Sequence, residues 1–139
     1  MGRILAIDYG RKRVGIAVTD SMQIIANKLT TVPTHEIMKF LEEYFKQEDV
    51  EQVVIGYPLQ NNGQPSQSIE YINPFIKNFL KKFPEMPIEQ HDERFTSNLA
   101  FRAMIDAGLK KKQRQNKATI DAVSATIILQ SYMESKKQF

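Results

Sequence analysis

The chain contains no cysteine. Disulfides and thiolate zinc sites are therefore excluded, and a reducing cytoplasm is the compartment that fits. Its two histidines, His35 and His91, are too few for a histidine metal centre, and His91 reads as structural or exposed. No apolar run approaches the ~18–20 residues that span a bilayer. Met1-Gly2-Arg3 leads directly into a strand pattern, so neither a signal peptide nor membrane attachment is expected. There is no P-loop motif and no G-x-G-x-x-G. Without an internal repeat, a low-complexity tract or a composition break, residues 1–139 are expected to form one domain.

A hydrophobic fraction of 42% and a charged fraction of 25% are ordinary for a soluble globular chain and leave enough apolar residues for a core. Net charge is only +3, but it is unevenly spread. Residues 110–117, Lys-Lys-Lys-Gln-Arg-Gln-Asn-Lys, carry five cations and no anion, which leaves the remainder slightly acidic. Such a run serves either as a solvated surface or as a phosphate-binding segment.

Hydrophobic periodicity gives the element order. Residues 3–8, 13–20 and about 24–32 read as three strands, the first two joined by a short Gly turn that favours antiparallel pairing. In the second, Val14, Ile16 and Val18 share one face and Gly15 and Ala17 the other, where another element can approach closely. Residues 34–48 switch to helical spacing through Ile37, Phe40, Leu41, Tyr44 and Phe45, with Thr34 as the expected N-cap. Residues 51–56 form a short strand buried on both faces, followed by a polar loop over 57–65. Ile69, Ile72, Phe75, Ile76, Phe79, Leu80 and Phe83 make a second helical stripe. Pro74 should bend that helix, or restart it with Asn73 as cap. Pro87 to Asp92 reads as a fifth strand. A helix capped by Thr96 and ending at Gly108 follows, then a last helix over 118–135. Strands alternating with helices in the second half add parallel crossovers to an antiparallel meander. The fold class is one mixed α/β sheet with helices on both faces.

Three acidic positions stand apart. Asp8 ends the apolar run Ile4-Leu5-Ala6-Ile7 and opens the turn Tyr9-Gly10. An ionised carboxylate with apolar flanks is costly unless a cation pairs with it. Asp92-Glu93 closes the fifth strand, and Asp121 lies in the first turn of the last helix. Hard divalent cations such as Mg²⁺ take oxygen ligands. Two of them about 3.5–4 Å apart can activate a water and stabilise the leaving oxygen of a phosphodiester. Taken singly, Asp121 also suits a helix N-terminus, and Glu93 a surface pair with Arg94. Alternation puts Asp92 and Glu93 on opposite faces, so only one can point at such a site. Arg11, Lys12 and Arg13 follow Asp8, and the 110–117 run precedes Asp121. Both are suited to flanking phosphates, with salt-dependent and largely sequence-independent affinity.

These motifs together resemble the YqgF/RuvX family, the Holliday-junction-resolvase-like branch of the RNase H-like superfamily. The resemblance runs nearly end to end. It rests on Asp8-Tyr9-Gly10-Arg11-Lys12-Arg13-Val14-Gly15, on Gly56-x-Pro58 with Gly63, on Asp92-Glu93-Arg94-Phe95-Thr96, and on Lys117-x-x-x-Asp121 running into Ile128-Leu129-Gln130. One departure is Ser124, where many relatives carry Ala; Ser is small enough to keep close helix packing. The resemblance implies a five-stranded RNase H-like sheet. It also implies a nuclease site of Asp8, Glu93 and Asp121, with Glu93 preferred over Asp92, holding Mg²⁺ or Mn²⁺, expected as two ions. Arg11, Lys12, Arg13, Arg94, Lys110, Lys111, Lys112, Arg114 and Lys117 would contact nucleic acid.

The expected activity is metal-dependent endonuclease cleavage in 5′-end maturation of the small-subunit (16S) ribosomal RNA precursor. Competing expectations are resolution of branched DNA and a non-catalytic RNA-binding role in ribosome assembly. An ATP-binding relative of the sugar-kinase and actin group also uses an Asp-x-Gly turn, but binds nucleotide between two such domains. A homodimer suits a junction cutter, which needs two sites; the residues do not decide between monomer and homodimer.

Overall fold

In a computed structural model, residues 2–57, 69–92 and 117–137 are described, the side chains of 117–122 and 137 excepted. The expected helix from Thr96 to Gly108, nearly all of the loop over 57–65, and Glu93, Arg94 and residues 110–116 lie outside the described residues.

Five strands form one sheet: β1 (Arg3–Tyr9), β2 (Arg13–Thr19), β3 (Ala26–Pro33), β4 (Val50–Tyr57) and β5 (Ile88–Asp92). Their order is β3-β2-β1-β4-β5. The meander β1–β2–β3 is antiparallel, while β4 runs parallel to β1 and β5 parallel to β4. The carboxyl ends of β1, β4 and β5 therefore share one edge of the sheet, and the β1–β2 turn lies on that edge.

Strand alternation sends side chains to two different cores. On one face Leu5, Ile7, Val14, Ile16, Val18, Val53 and Ile55 pack against α1 (Ile37–Gln47) and α2 (Ile69–Lys82), through Ile37, Leu41, Ile72, Phe75 and Phe79. On the other face Ile4, Ala6, Ala17 and Val54 pack against Ala125, Ile128, Leu129, Tyr132 and Met133 of α3 (Lys117–Lys137). The first face is filled by large aliphatic and aromatic groups. The second has alanines on β1 and β2, so a long helix lies close to the strands.

Two local expectations are corrected. Thr34 does not cap α1. It opens a short 3-10 turn, Thr34–Glu36, and the residue before α1, Glu36, makes no side-chain cap bond. The Thr34 hydroxyl instead donates to the Gly10 carbonyl at 2.7 Å, and its backbone N–H donates to the Lys12 carbonyl at 3.0 Å. Its partner is the β1–β2 turn, a contact that depends on tertiary placement. Nor does α2 restart at Pro74: the helix is unbroken from Ile69 to Lys82. Ile72, Phe75 and Phe79 are buried on one stripe, and keeping all three on the sheet requires one continuous helical phase. Asn73 does not cap; its Oδ1 accepts a hydrogen bond from the Tyr57 hydroxyl at 2.9 Å.

Candidate active site

The register across the carboxyl edge puts five residues in one lateral row. Asp8 faces Gly15, and Gly15 faces Thr31. Ile7 pairs with Ile55, so Asp8 is level with Gly56, and Gly56 faces His91. Ile7 and Tyr9 belong to the α1/α2 side and Ala6 to the α3 side, so Asp8 belongs to the α3 side by alternation. Its two in-register neighbours on that face, Gly15 and Gly56, carry no side chain. The half-buried Asp8 carboxylate thus stands on a floor of bare backbone at the mouth of the sheet.

Reading the residues alone assigns neither glycine to a site. The available signal is that each interrupts an apolar strand, Val14-Gly15-Ile16 and Val54-Ile55-Gly56, which marks a close approach of something to the backbone.

The position of Asp92 follows from the same alternation. Glu89 pairs with Lys136 of α3 at 3.8 Å, and His91 Nε2 lies 2.8 Å from Ser131 Oγ of α3. Glu89 and His91 therefore face α3. Ile88 packs with the α1/α2 core, and Asp92 shares its face. Asp8 and Asp92 lie on opposite faces of the sheet. Glu93 lies outside the described residues.

Helix α3 runs antiparallel to β5, with Lys136 beside Glu89 and Ser131 beside His91. Its amino-terminal turns, which include Asp121, therefore point toward the edge where Asp8 sits. The last helix begins within one residue of the expected position.

Among the basic residues, Arg11 and Lys12 are exposed on the β1–β2 turn, and Arg13 begins β2 on the α3 face, as Gly15 and Ala17 do. Gly10 makes this turn possible. Its N–H donates to the Arg13 carbonyl at 2.9 Å, and a Cβ there would come within 2.6 Å of the same oxygen. Lys117 is the first residue of α3. His91 is half-buried and hydrogen-bonded to Ser131, consistent with a structural role; burial pushes its pKa down, against the opposing charges of Asp92 and Glu89.

Asp8 offers hard carboxylate oxygens, and the chain has no thiolate to compete, so the donor chemistry fits Mg²⁺ or Mn²⁺. Among the described residues no three His, Asp or Glu side chains converge on one point. A complete ligand set therefore needs residues beyond them.

Sheet order and the packing of α3 against the small-residue face define an RNase H-like fold. The chain resembles Thermus thermophilus RuvC in complex with a Holliday junction substrate, at TM-score 0.58 and 12% identity over 99% of this chain and 97% of that one. A second Thermus thermophilus RuvC structure matches at TM-score 0.53 and 13% identity, covering 95% and 96%. At that level of identity the likeness concerns the fold. Family membership comes from sequence: residues 2–135 match the family described as RuvX, Holliday junction resolvase, and the chain belongs to it. It is 61% identical over 137 residues to a Bacteroides fragilis protein named "Putative pre-16S rRNA nuclease", with 99% of each chain covered. Bacteroides thetaiotaomicron and Flavobacterium johnsoniae proteins of the same name are 59% and 60% identical over 137 residues, again with 99% of each covered.

Proposed function

We propose that this chain is a divalent-metal-dependent endonuclease that cuts the 16S ribosomal RNA precursor during maturation of its 5′ end. The observation that carries the reading is the setting of Asp8. A half-buried carboxylate lies on the α3 face in register with Gly15 and Gly56, neither of which sets a side chain beside it. The names of the Bacteroides and Flavobacterium relatives favour ribosomal RNA as the substrate.

Asp8, Glu93 and Asp121 would hold the ions. Glu93 is preferred to Asp92 because Asp92 shares the face of Ile88, away from Asp8. Bound Mg²⁺ or Mn²⁺ would supply activation of the attacking water and stabilisation of charge on the leaving oxygen. The chain's own residues bind and orient. Arg13, on the Asp8 face, and Lys12, on the turn, hold phosphates flanking the cut, with Arg94, Lys110, Lys111, Lys112, Arg114 and Lys117 extending that track.

The test compares Mg²⁺-dependent cleavage of precursor ribosomal RNA, four-way DNA junctions and unstructured controls. Asp8→Asn, Glu93→Gln and Asp121→Asn should each lower cleavage at least about 100-fold, as expected for losing several kcal/mol of metal-assisted stabilisation, with binding retained. Wild-type rates in all three would overturn the site and favour a non-catalytic RNA-binding role. Preferential cutting of the junction would move the substrate to branched DNA, which the family's description favours.

A further inference from the structure

On the face of the sheet away from Asp8, at the same edge, four side chains form a column from core to solvent. Phe75 of α2 is buried at the base. Tyr9, the last residue of β1, stacks on it with centroids 4.5 Å apart and planes 28° apart. Tyr71, one turn earlier on α2, lies 6.3 Å from the Tyr9 ring. The Arg11 guanidinium lies over Tyr71, 5.6 Å from the ring centroid, and is exposed.

A cation–aromatic pair of this kind contributes about 0.5–1 kcal/mol at an exposed site, so it could simply close the edge of the core. Its setting suggests more. Arg11 is carried by a turn that is braced on both sides of it, by Gly10 to Arg13 and by Thr34 to Gly10 and Lys12. That turn begins at Asp8-Tyr9, so a cation and a planar stack are held beside a carboxylate on the opposite side of one strand end. Tyr57, at the end of β4, is likewise anchored through its hydroxyl to Asn73 of α2.

We propose that the Arg11–Tyr71 pair is a stacking shelf for one unpaired nucleobase of the substrate strand, adjacent to the phosphate attacked at Asp8. This rests on the nuclease reading and narrows its substrate: the strand is single-stranded at the cut. A base inside a duplex has both faces covered by its neighbours, whereas an unpaired base offers a free face to an aromatic ring or a guanidinium plane. Every base has such a face, so the shelf selects strand state rather than sequence. The backbone would cross the β1–β2 turn, with its phosphate on the Arg13 and Asp8 side and its base on the Arg11 and Tyr71 side.

The probe is a precursor-RNA oligonucleotide, single-stranded across the cleavage position. It is used in Ca²⁺ to slow cleavage, alongside versions with an abasic residue at each unpaired position and a fully paired control. Binding to the full chain is followed by fluorescence anisotropy over a range of salt concentrations. Arg11→Lys keeps the charge but loses the planar guanidinium; Tyr71→Leu removes the ring. Each should weaken binding about 10-fold with an unchanged slope of log Kd against log salt. One abasic position should weaken wild type by a similar factor and make wild type and both variants equal.

Wild-type binding by Arg11→Lys, no such abasic position, equal losses on the paired control, or no binding of the RNA by wild type would each overturn the shelf. The nuclease reading is judged separately by Asp8→Asn. Normal cleavage by that variant with the shelf results intact removes the nuclease and leaves the shelf; an inactive Asp8→Asn with unaffected shelf variants does the reverse.

Discussion

His91 on β5 and Ser131 on α3 are joined at 2.8 Å, Nε2 to Oγ, and this hydrogen bond ties the edge strand to the helix that carries Asp121. The imidazole also meets the Tyr132 ring edge-on, with centroids 6.1 Å apart. Burial holds the His91 pKa below its ordinary value, with Asp92 and Glu89 opposing the shift. Above the unfolded value of about 6.5, both states are neutral and nothing changes. As pH falls through that value the unfolded chain binds a proton before the folded one does, so stability falls, until the folded histidine protonates as well. Urea unfolding from pH 8 to pH 5 should therefore show a steeper loss in wild type than in His91→Gln. Parallel curves would mean that His91 does not report on this junction.

Gly10→Ala tests the turn. The added methyl meets the Arg13 carbonyl oxygen at 2.6 Å, a backbone atom that cannot swing aside. The β1–β2 turn must open, at a cost of roughly 1–3 kcal/mol. Because Asp8 and Arg11 lie within two residues of Gly10, cleavage should fall by more than the unfolded fraction explains, which denaturation and turnover measured on the same sample will separate. Thr34→Val, which removes the 2.7 Å bond to Gly10, should cost about 1 kcal/mol and leave the turn's own Gly10–Arg13 bond in place.

Ala17→Leu tests why the α3 face is built from small residues. Ala17 is fully buried under the helix, within the cluster of Ile128, Leu129 and Tyr132. Three extra carbons there should destabilise the fold by about 1–3 kcal/mol through overpacking. The same substitution should depress cleavage, since lifting α3 moves Asp121 away from Asp8. Unchanged thermal stability would indicate slack between helix and sheet.

Replacing Lys110, Lys111, Lys112 and Arg114 with Gln tests the basic run. For every phosphate that these cations neutralise on a single strand, the slope of log K against log salt should become shallower by about 0.7. An unchanged slope would assign the run to a solvated surface.

Strand and helix positions were legible in the sequence because they follow from local periodicity. All five strands and the last helix appear within about two residues of expectation, and the glycine–alanine face of β2 does receive a helix. The errors fall where a tertiary partner overrides a local preference. Thr34 has the chemistry of an N-cap but commits its hydroxyl to Gly10, twenty-four residues away. At Pro74 only the restart capped by Asn73 fails, because the helix is unbroken from Ile69 to Lys82 and its buried stripe requires continuity.

The sequence by itself determined the carboxylates, the cations near them, the alternation along each strand and the family to which the chain belongs. It could not decide which side of the sheet any of these groups occupies. Alternation fixes only relative facing within one strand; absolute facing depends on register between strands and on which helix covers which face. The tertiary structure decided that Asp8, Gly15, Gly56 and His91 share the α3 face, while Asp92 and the Tyr9–Tyr71–Arg11 column lie on the other.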